Sequence, residues 1–349
     1  MFLAKNMLWL YDLYGSKKIA LREERNERKE MKIVLIEPLS VNAEVIETLS
    51  ADWVKAGHSF SAYDTRAQSV VELHQRAGDA DIIIEGNQPL NAEALHGFKK
   101  CRYLSVGFSG IDHVDRSAAE EMGIMVSNSA GYADDSVAEL ALGMMLGLLR
   151  NIVPADQACK AGKTKDGLVG NELLGKTVGI VGMGACGCRM AEILHAFRCR
   201  VLFYAPRISE RARQLGESVS LQELFRSSDI VTLHCPLTDE TRGIVDAQLL
   251  ASMKQSALLI NTARGPIVDS EALAEALNTG KIAGAGVDVY EKEPPIEQTH
   301  PLLRARNCIT TPHVAFASAE SMVKRAKIAF GNVDAYLAGN PRNVKIKCR

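Results

Sequence analysis

Short runs of apolar and β-branched residues alternate along the chain with longer stretches whose apolar positions repeat every three or four residues. Runs of the first kind predict buried strands, and stretches of the second kind predict amphipathic helices. The predicted strands form two series: Lys32–Ile36, Ser59–Tyr63, Asp81–Ile84, Tyr103–Val106 and Ile124–Ser127, then Val178–Val181, Arg200–Tyr204, Ile230–Leu233, Ala257–Asn261 and Ala283–Val289. Strands that alternate with helices in this way predict parallel sheets covered by helices.

The two series predict an α/β fold of two Rossmann-like, doubly wound parallel-sheet domains with a cleft between them. Residues 31–128 are expected to form a flavodoxin-like, substrate-binding domain, and residues 129–316 a nucleotide-binding Rossmann domain. The last helical pattern, Ser318 to Ala338, is expected to return to the first domain with residues 317–349. Two chain crossings would then form a hinge.

The longest apolar stretch between the two series runs from Asp134 to Ile152. Its many small and apolar residues predict a helix buried between layers. Asp134, Asp135 and Ser136 offer capping side chains at its start. The stretch is too short, and too closely flanked by charge, to span a membrane.

Residues 1–30 do not follow the alternating pattern, which starts at Met31. They contain a short apolar patch and then a charge-dense run. The patch is too short for a secretory signal and has no small-residue cleavage site after it. We expect residues 1–30 to be a loose extension, or Met31 to be the natural start.

Composition narrows the classes of function. With 349 residues, 47% hydrophobic and 24% charged, the chain is typical of a soluble protein of two domains. A net charge of −1 does not favour a nucleic acid or an acidic membrane as partner. The eight cysteines show no Cys-x-x-Cys spacing, which favours free thiols in a reducing cytoplasm over disulfides or a metal site.

A glycine turn opens the second series. Gly182-x-Gly184-x-x-Gly187 follows an apolar strand and precedes a helix that is predicted to run to about Phe197. In this context the first glycine permits a tight turn, the second lets backbone approach a pyrophosphate, and the third lets helix and strand pack closely. The helix N-terminus supplies N–H groups for the phosphates. The turn therefore predicts a dinucleotide cofactor.

The strand after this turn bears on the choice between NAD and NADP. An acidic residue that binds the ribose hydroxyls is expected at its end, where Ala205 stands with Arg207 just beyond it. A missing carboxylate and a nearby guanidinium both favour a 2′-phosphate, although Arg207 is equally well explained as a solvated surface cation. We expect NAD or NADP, with a slight preference for NADP.

Three side chains downstream offer the chemistry of hydride transfer to or from a 2-oxo acid. Arg264 follows a strand and can clamp a carboxylate. His313 can give a proton to a carbonyl oxygen or take it back. Glu293 can orient the ring of that histidine and raise its pKa. Asp288, at the end of another strand, is expected to bond the nicotinamide carboxamide, to tune Arg264, or to act as a structural cap.

Hydride transfer to a 2-oxo acid also requires a backbone segment that binds the substrate carboxylate, here called the cradle. The segment Phe108–His113 follows a predicted strand, and Ser109 and Gly110 could present backbone N–H groups to an anion. A plain tight turn explains these residues as well. His113 is expected to be structural or to form an interdomain contact.

These residues together resemble the D-isomer-specific 2-hydroxyacid dehydrogenases from Met31 to about Lys345. The segments that carry the resemblance are 107–115, 128–150, 178–187, 233–236, 261–269, 286–295 and 311–321. The family's arginine, glutamate and histidine map onto Arg264, Glu293 and His313 without gaps.

The resemblance implies a homodimer built mainly through the nucleotide-binding domains. It implies that Ser109, Gly110 and Arg264 hold the substrate carboxylate and that His313, paired with Glu293, is the general acid and base. The family's cofactor positions map onto Ala185 and Cys186 in the turn, onto Thr262, Ala263 and Arg264, and onto Asp288. Gly182, Gly184 and Gly187 of the turn, together with Arg207, Cys235 and Pro236, complete the expected cofactor-binding residues.

Two departures from the family bear on the substrate. The chain ends soon after its last predicted helix, so the regulatory domain of some phosphoglycerate dehydrogenases is not expected. Some of those enzymes carry arginines for the distal phosphate where this chain has Glu85 to Pro89, and a phosphate beside Glu85 would be repelled. We therefore expect a hydroxypyruvate/glyoxylate reductase or glycerate dehydrogenase before a D-3-phosphoglycerate dehydrogenase.

Two other functions remain open from the sequence. One is a non-catalytic NAD(H) sensor that recruits proteins on the same fold, which an intact set of catalytic residues does not exclude. The other is a formate-type dehydrogenase. That class would be expected to carry glutamine where Glu293 stands, so the carboxylate argues against it.

Overall fold

The computed structural model describes residues 30–292 and 295–347. The predicted extension, apart from Glu30, and the candidate catalytic Glu293 lie outside these ranges. The described chain forms two compact units. The first unit holds the residues up to Gly107, Asp112–Ser127 and those from Ala329 onward, and the second unit holds Phe108–Ile111 and Asn128–Ile328.

The first unit is built on five strands and four helices in alternation, followed by a late strand. These are β1 (Lys32–Leu35), α1 (Ala43–Lys55), β2 (Ser59–Ala62), α2 (Val70–Ala77), β3 (Ile82–Glu85), α3 (Ala92–His96), β4 (Tyr103–Val106), α4 (Arg116–Glu121), β5 (Met125–Ser127) and, near the end of the chain, β13 (Val344–Ile346). The order in the sheet is β13-β5-β4-β3-β1-β2. All neighbours are parallel except β13 and β5.

The second unit contains the remaining elements. These are α5 (Asp134–Leu149), α6 (Ile152–Lys160), β6 (Thr177–Val181), α7 (Ala185–Ala196), β7 (Arg200–Tyr204), α8 (Glu210–Leu215), β8 (Glu217–Ser218), α9 (Leu221–Ser227), β9 (Ile230–Leu233), α10 (Ala247–Ala251), β10 (Leu258–Asn261), α11 (Ser270–Asn278), β11 (Gly284–Val287) and β12 (Cys308–Thr310), with 3₁₀ turns at Gly265–Ile267 and Pro301–Leu303. Helix α12 (Ala319–Leu337) begins in this unit and ends in the first.

The second sheet has seven parallel strands in the order β12-β11-β10-β9-β6-β7-β8. Alternate residues of its central strands enter two different core clusters. Ile180, for example, packs with α5 and α7, while the next residue, Val181, packs with α9 and α10. Because successive side chains point to opposite faces of a strand, helices cover both faces. The predicted fold class, α/β with two doubly wound parallel sheets, is confirmed.

The central strands were predicted well because strands that are buried on both faces read as continuous apolar runs. Tyr103–Val106 and Ile230–Leu233 have the predicted bounds. The sequence analysis missed β8, β12 and β13, which have two or three residues each and lie at sheet edges. Residues at such edges are partly exposed, so polar and charged side chains interrupt the apolar pattern.

The compact units do not coincide with the predicted domain boundaries in every place. Residues 108–111 and 128, and the start of the last helical segment up to Ile328, belong to the second unit. From Ala329 onward the last helix packs in the first unit, where Phe330 stacks on Trp53 with ring centroids 5.0 Å apart. The assignment of one unit to the substrate and the other to the cofactor remains a prediction.

The acidic start of α5 does not cap the helix as predicted. The N-cap residue is Ala133, and it makes no side-chain cap hydrogen bond. Asp134 instead accepts a hydrogen bond from the Cys186 thiol at 3.2 Å, and Asp135 accepts one from Arg189 Nε at 2.7 Å. Ser136 Oγ donates to the carbonyl of Ala133. The two carboxylates therefore join α5 to α7, a tertiary role that local sequence chemistry does not encode.

Helix α5 is buried along much of its length, as predicted, with Ala138, Ala141, Met144 and Met145 in the core. Among the described residues no single helix meets the length and hydropathy required to cross a bilayer. Helices α5 and α6 meet them only when joined across a bend of 57°.

Candidate active site

Six strands of the second sheet end at one edge, because all of them are parallel. The glycine turn follows β6, Arg207 follows β7, Cys235 follows β9, Arg264 follows β10, Asp288 follows β11 and His313 follows β12. Ligands of open α/β sheets bind at this carboxyl edge. The structure therefore places Arg264, Asp288 and His313 at the ends of three adjacent strands, on the edge that holds the glycine turn.

The three glycines of the turn meet three different demands. Gly182 has φ +95°, and a Cβ there would lie 2.6 Å from the backbone nitrogen of Cys235. A Cβ on Gly187 would overlap the carbonyl oxygen of Gly182. Gly184 is the N-cap of α7, and a Cβ there would meet no atom within 4 Å. The first and third glycines are thus required by packing, whereas the second leaves open space in front of a helix N-terminus, where a pyrophosphate fits.

The thiols at this edge are not activated. Burial raises the pKa of Cys186 to about 12, and the charge of Asp134 acts in the same direction. Burial also raises the pKa of Cys235 to about 11. His234, next to it, is half-buried, and desolvation lowers its pKa to about 4, so the ring is neutral near pH 7. These groups shape the site without supplying a nucleophile or a charge.

The turn that carries Arg264 is braced by Asn261 at the end of β10. The Asn261 side chain accepts a hydrogen bond from Ala263 N at 3.1 Å and donates one to the carbonyl of Arg264 at 3.0 Å. A Cβ on Gly265 would overlap the backbone of Tyr290, so this turn packs tightly against the segment after β11. Sequence analysis missed the role of Asn261, although its position directly before the arginine turn was a usable signal.

Thr262 supplies a second observation that fits a dinucleotide. Its hydroxyl oxygen is buried and has no hydrogen-bond partner among the described residues. Buried hydroxyls normally have a partner, so this atom is suited to a bound group at the carboxyl edge. The open space at Gly184 and this hydroxyl together fit the predicted cofactor. The individual contacts of Ala185, Cys186, Pro236 and Ala263 remain predictions.

Asp288 holds the loop that carries His313. It is fully buried, and its carboxylate accepts hydrogen bonds from the Thr311 hydroxyl, from Val314 N at 2.9 Å and from Ala315 N at 2.8 Å. The backbone N–H of His313 donates to the carbonyl of Asp288 at 2.8 Å. His313 itself has φ +54°, which is uncommon for a residue other than glycine and is maintained by such surrounding contacts. These bonds give Asp288 a loop-holding role, and its cofactor contact remains a prediction.

The candidate carboxylate cradle belongs to the same unit as His313. In the segment Phe108–Ile111, Ser109 is exposed and Gly110 is half-buried. The carbonyl of Phe108 accepts a hydrogen bond from Ser129 N at 2.9 Å, and the carbonyl of Ser109 accepts one from the Asn128 side chain. The backbone of the cradle is thus anchored by its carbonyl oxygens.

The cofactor-selecting position shows an exposed cation. Ala205 is half-buried at the end of β7, and Arg207 is exposed beyond it. Such a guanidinium can move toward a phosphate without the loss of a buried contact. The structure thus leaves the slight preference for NADP a prediction.

The loop after β3 in the first unit changes the electrostatic argument about the substrate. Glu85 is fully buried, and its Oε1 lies 2.7 Å from Nε2 of His113. Glu37 is also buried. Its carboxylate accepts hydrogen bonds from the backbone N–H groups of Gly86 and Gln88, and it forms an ion pair with Arg66, whose Nε lies 2.8 Å from Oε2. The sequence analysis expected Glu85 to repel a phosphate. The structure weakens this argument, because the carboxylates of Glu85 and Glu37 are both buried and each has a basic partner.

The pair of Glu85 and His113 predicts a pH-dependent stability. Burial raises the pKa of Glu85 to about 7, against the opposing charge of His113. Burial alone would lower the pKa of His113, but the charge and hydrogen bond of Glu85 outweigh it and raise that pKa. Both groups bind protons more tightly in the folded state than in the unfolded state, so the stability they contribute is lost as pH rises from about 5 to 8.

We expect Glu85→Gln to reduce the loss of stability across this pH range, by on the order of 1 kcal/mol in the free energy of unfolding. The melting temperature of the variant should therefore fall less steeply with pH. Thermal unfolding at half-unit pH steps measures it. Glu217→Gln is the matched control, because Glu217 pairs with Arg200 at the surface. An unchanged slope for Glu85→Gln would contradict the coupling.

Comparison with known proteins shows the family to which this chain is similar. Residues 142–315 match the family model of the NAD-binding domain of D-isomer specific 2-hydroxyacid dehydrogenases. The chain is 35% identical over 327 residues to a hydroxypyruvate reductase of Blautia hydrogenotrophica, covering 90% of this chain and 99% of the relative. It is 36% identical over 322 residues to a glycerate dehydrogenase of Methylorubrum extorquens, covering 90% and 98%.

The fold is also similar to that of a solved structure. The acyclic imino acid reductase Bsp5, in complex with NADPH and D-Arg, matches with a TM-score of 0.82 at 29% identity, covering 90% of this chain and all of that one. The chain therefore belongs to the D-isomer-specific 2-hydroxyacid dehydrogenase family. It is an NAD(P)-dependent oxidoreductase that acts on CH–OH groups, and the predicted family and enzyme class are confirmed.

Proposed function

We propose that the chain reduces hydroxypyruvate and glyoxylate, or oxidises glycerate in the reverse direction. The observation that carries this proposal is the buried Asp288 carboxylate, which fixes the His313 loop at the strand-end edge that also bears Arg264. The relatives named hydroxypyruvate reductase and glycerate dehydrogenase support the choice of substrate.

Arg264 and the cradle would hold the substrate. The guanidinium of Arg264 can form two parallel hydrogen bonds to a carboxylate, and the N–H groups of Ser109 and Gly110 offer further donors. With the carboxylate held, the 2-oxo group of a short acid is placed near the arginine, which polarises the carbonyl and stabilises the charge that develops on its oxygen.

His313 would move the proton. When bound, the dinucleotide supplies or accepts the hydride at C2 of the substrate. During reduction the imidazolium of His313 donates a proton to the carbonyl oxygen, and during oxidation the neutral ring accepts it. Glu293, which lies outside the described residues, is proposed as the carboxylate that orients this ring.

The test is a panel of NADH and NADPH oxidation with hydroxypyruvate, glyoxylate, pyruvate and 3-phosphohydroxypyruvate. We expect turnover with the first two acids, and a kcat/KM for NADPH that slightly exceeds that for NADH because of Arg207. A strong preference for NADH would overturn the cofactor proposal. Absence of turnover with all four acids would overturn the proposed substrates.

One observation keeps 3-phosphohydroxypyruvate in the panel. Arg66 donates to the Asn87 side chain at 2.7 Å, and its own side chain is half-exposed. A cation is therefore present at the loop after β3, supplied by a distant part of the chain. The highest kcat/KM for the phosphorylated acid would favour a D-3-phosphoglycerate dehydrogenase.

We also propose a homodimer formed through the second unit. Four large apolar side chains there are about half exposed or more: Ile152 (54%), Val153 (48%), Val169 (83%) and Leu174 (55%). They lie on α6 and on the segment between α6 and β6. A set of this kind is typical of an interaction surface.

We expect Val169→Glu to shift the protein from dimer to monomer, because a carboxylate buried in an apolar contact costs several kcal/mol. Light scattering coupled to size exclusion measures the mass. Val71→Glu is the control, since Val71 is 67% exposed but lies on α2 in the first unit. A wild-type monomer, or equal masses for both variants, would contradict the proposed interface.

We propose a cytoplasmic location without a nucleic-acid or membrane partner. The seven cysteines within the described ranges are free, which suits a reducing compartment. The net charge of −1 gives no general attraction to polyanions. Fractionation of the native cell tests the location.

A further inference from the structure

A buried arginine lies beside the candidate site and has no part in the proposed chemistry. Arg325, in the N-terminal half of α12, is only 3% exposed. Its guanidinium carbon lies 5.2 Å from the ring centroid of Phe108 and 5.9 Å from that of Phe316. A buried guanidinium is costly unless aromatic faces and hydrogen bonds compensate for its lost hydration.

The two aromatic rings belong to the two loops that the reaction needs. Phe108 begins the cradle segment that contains Ser109 and Gly110. Phe316 ends the histidine loop, and its ring packs edge-to-face against His313 with centroids 5.4 Å apart. The two phenylalanines also contact each other, at 4.8 Å. Arg325 therefore covers the junction between cradle and histidine loop, within a single compact unit.

Tyr132 closes this group. Its ring lies 6.0 Å from that of Phe108, which Arg325 covers. Burial raises the pKa of Tyr132, while the charges of Arg325 and Arg264 act in the opposite direction. The hydroxyl thus lies in the fields of both guanidiniums.

We propose that Arg325 is a positioning residue for the dehydrogenase reaction: it fixes the cradle segment Phe108–Ile111 against the histidine loop. The inference rests on the proposed function. A well-packed apolar side chain of similar volume would serve the fold equally well, since buried charges seldom add net stability. The planar guanidinium offers what such a side chain lacks, two stacking faces and directed N–H groups.

The test compares Arg325→Met and Arg325→Lys with wild type. We expect Arg325→Met to raise KM for the 2-oxo acid and lower kcat/KM by about 10- to 100-fold, as misplacement of a remote group does, with the dissociation constant of NADPH within about twofold of wild type. Lysine keeps the charge without the planar faces and is expected to restore only part of the loss. Phe316→Leu provides the same measurement if Arg325→Met does not fold.

A second buried and stacked arginine is the matched control. Arg76 is 6% exposed and lies 4.5 Å from the ring centroid of Tyr63, in the first unit. Arg76→Met should lower the melting temperature without the KM effect. Equal KM changes in Arg76→Met and Arg325→Met, or wild-type kinetics in folded Arg325→Met, would overturn the inference. Loss of the proposed function is separate, since it would appear as an inactive wild type or a fully active His313→Ala.

Discussion

His313→Ala is expected to lower kcat for hydroxypyruvate reduction by about two to four orders of magnitude, the usual contribution of a positioned acid or base. Without the imidazole, the proposed proton donor after β12 is lost as negative charge develops on the substrate oxygen. The binding of NADPH should hardly change, because the glycine turn and the strand ends that are expected to hold it remain intact. Stopped-flow oxidation of NADPH under single-turnover conditions measures the chemical step, and fluorescence titration measures cofactor binding.

His195→Ala is the matched control, because His195 is exposed on α7 and its ring bonds the carbonyl of Leu215, away from the strand ends. It should retain wild-type turnover. A His313→Ala variant with undiminished single-turnover rates would rule out the histidine as the proton donor. Equal losses in both variants would point to a general effect of histidine removal.

Asp288→Asn is expected to lower both activity and stability. Both carboxylate oxygens accept hydrogen bonds from the histidine loop, and an asparagine turns one of these acceptors into an N–H₂ donor. The new buried N–H₂ group then faces an N–H or O–H donor of the histidine loop, which lowers the free energy of unfolding by about 1–3 kcal/mol. The loop must shift to relieve it, and we expect kcat/KM to fall about 10- to 100-fold. Thermal unfolding and steady-state kinetics measure the two effects.

Thr311→Val tests the loss of one hydrogen bond to Asp288 without replacing a carboxylate oxygen by an N–H₂ donor, as Asp288→Asn does. It removes one of the three donors to Asp288 and leaves both carboxylate oxygens in place, so its effects should be clearly smaller. If Asp288→Asn and Thr311→Val behaved alike, the loop would not depend on the carboxylate as described. An unchanged melting temperature in Asp288→Asn would contradict the role of Asp288 in the fold.

Features of the site that depend on local sequence could be predicted, and features that depend on distant contacts could not. The glycine turn could be predicted because glycine is required for a positive φ at Gly182 and for close packing at Gly187, and both demands are local. Arg264 and His313 could be predicted because each directly follows a strand or a proline in a recognisable segment. Asp288 was left with three possible roles, since its partners lie more than twenty residues away along the chain.

Charges were the hardest features to interpret. Glu85 appeared to be a repulsive group at the substrate, yet it is internal and paired with His113. Arg66 pairs with Glu37 and donates to Asn87, a cation at the loop after β3 that the sequence analysis did not identify. Asp134 and Asp135 suggested caps and instead join two helices. In each case the residue type was visible, but its partner and its burial were not.

The sequence by itself determined the central strands, their parallel arrangement, the dinucleotide turn and the kinds of side chain at the strand ends. Periodicity and turn chemistry act over a few residues, so a single sequence records them. Only the tertiary structure decided that the cradle segment joins the histidine unit, that Asp288 holds the histidine loop, and that Arg325 lies across two phenylalanines. These features depend on contacts between distant segments, which form when the sheets assemble and bury their faces.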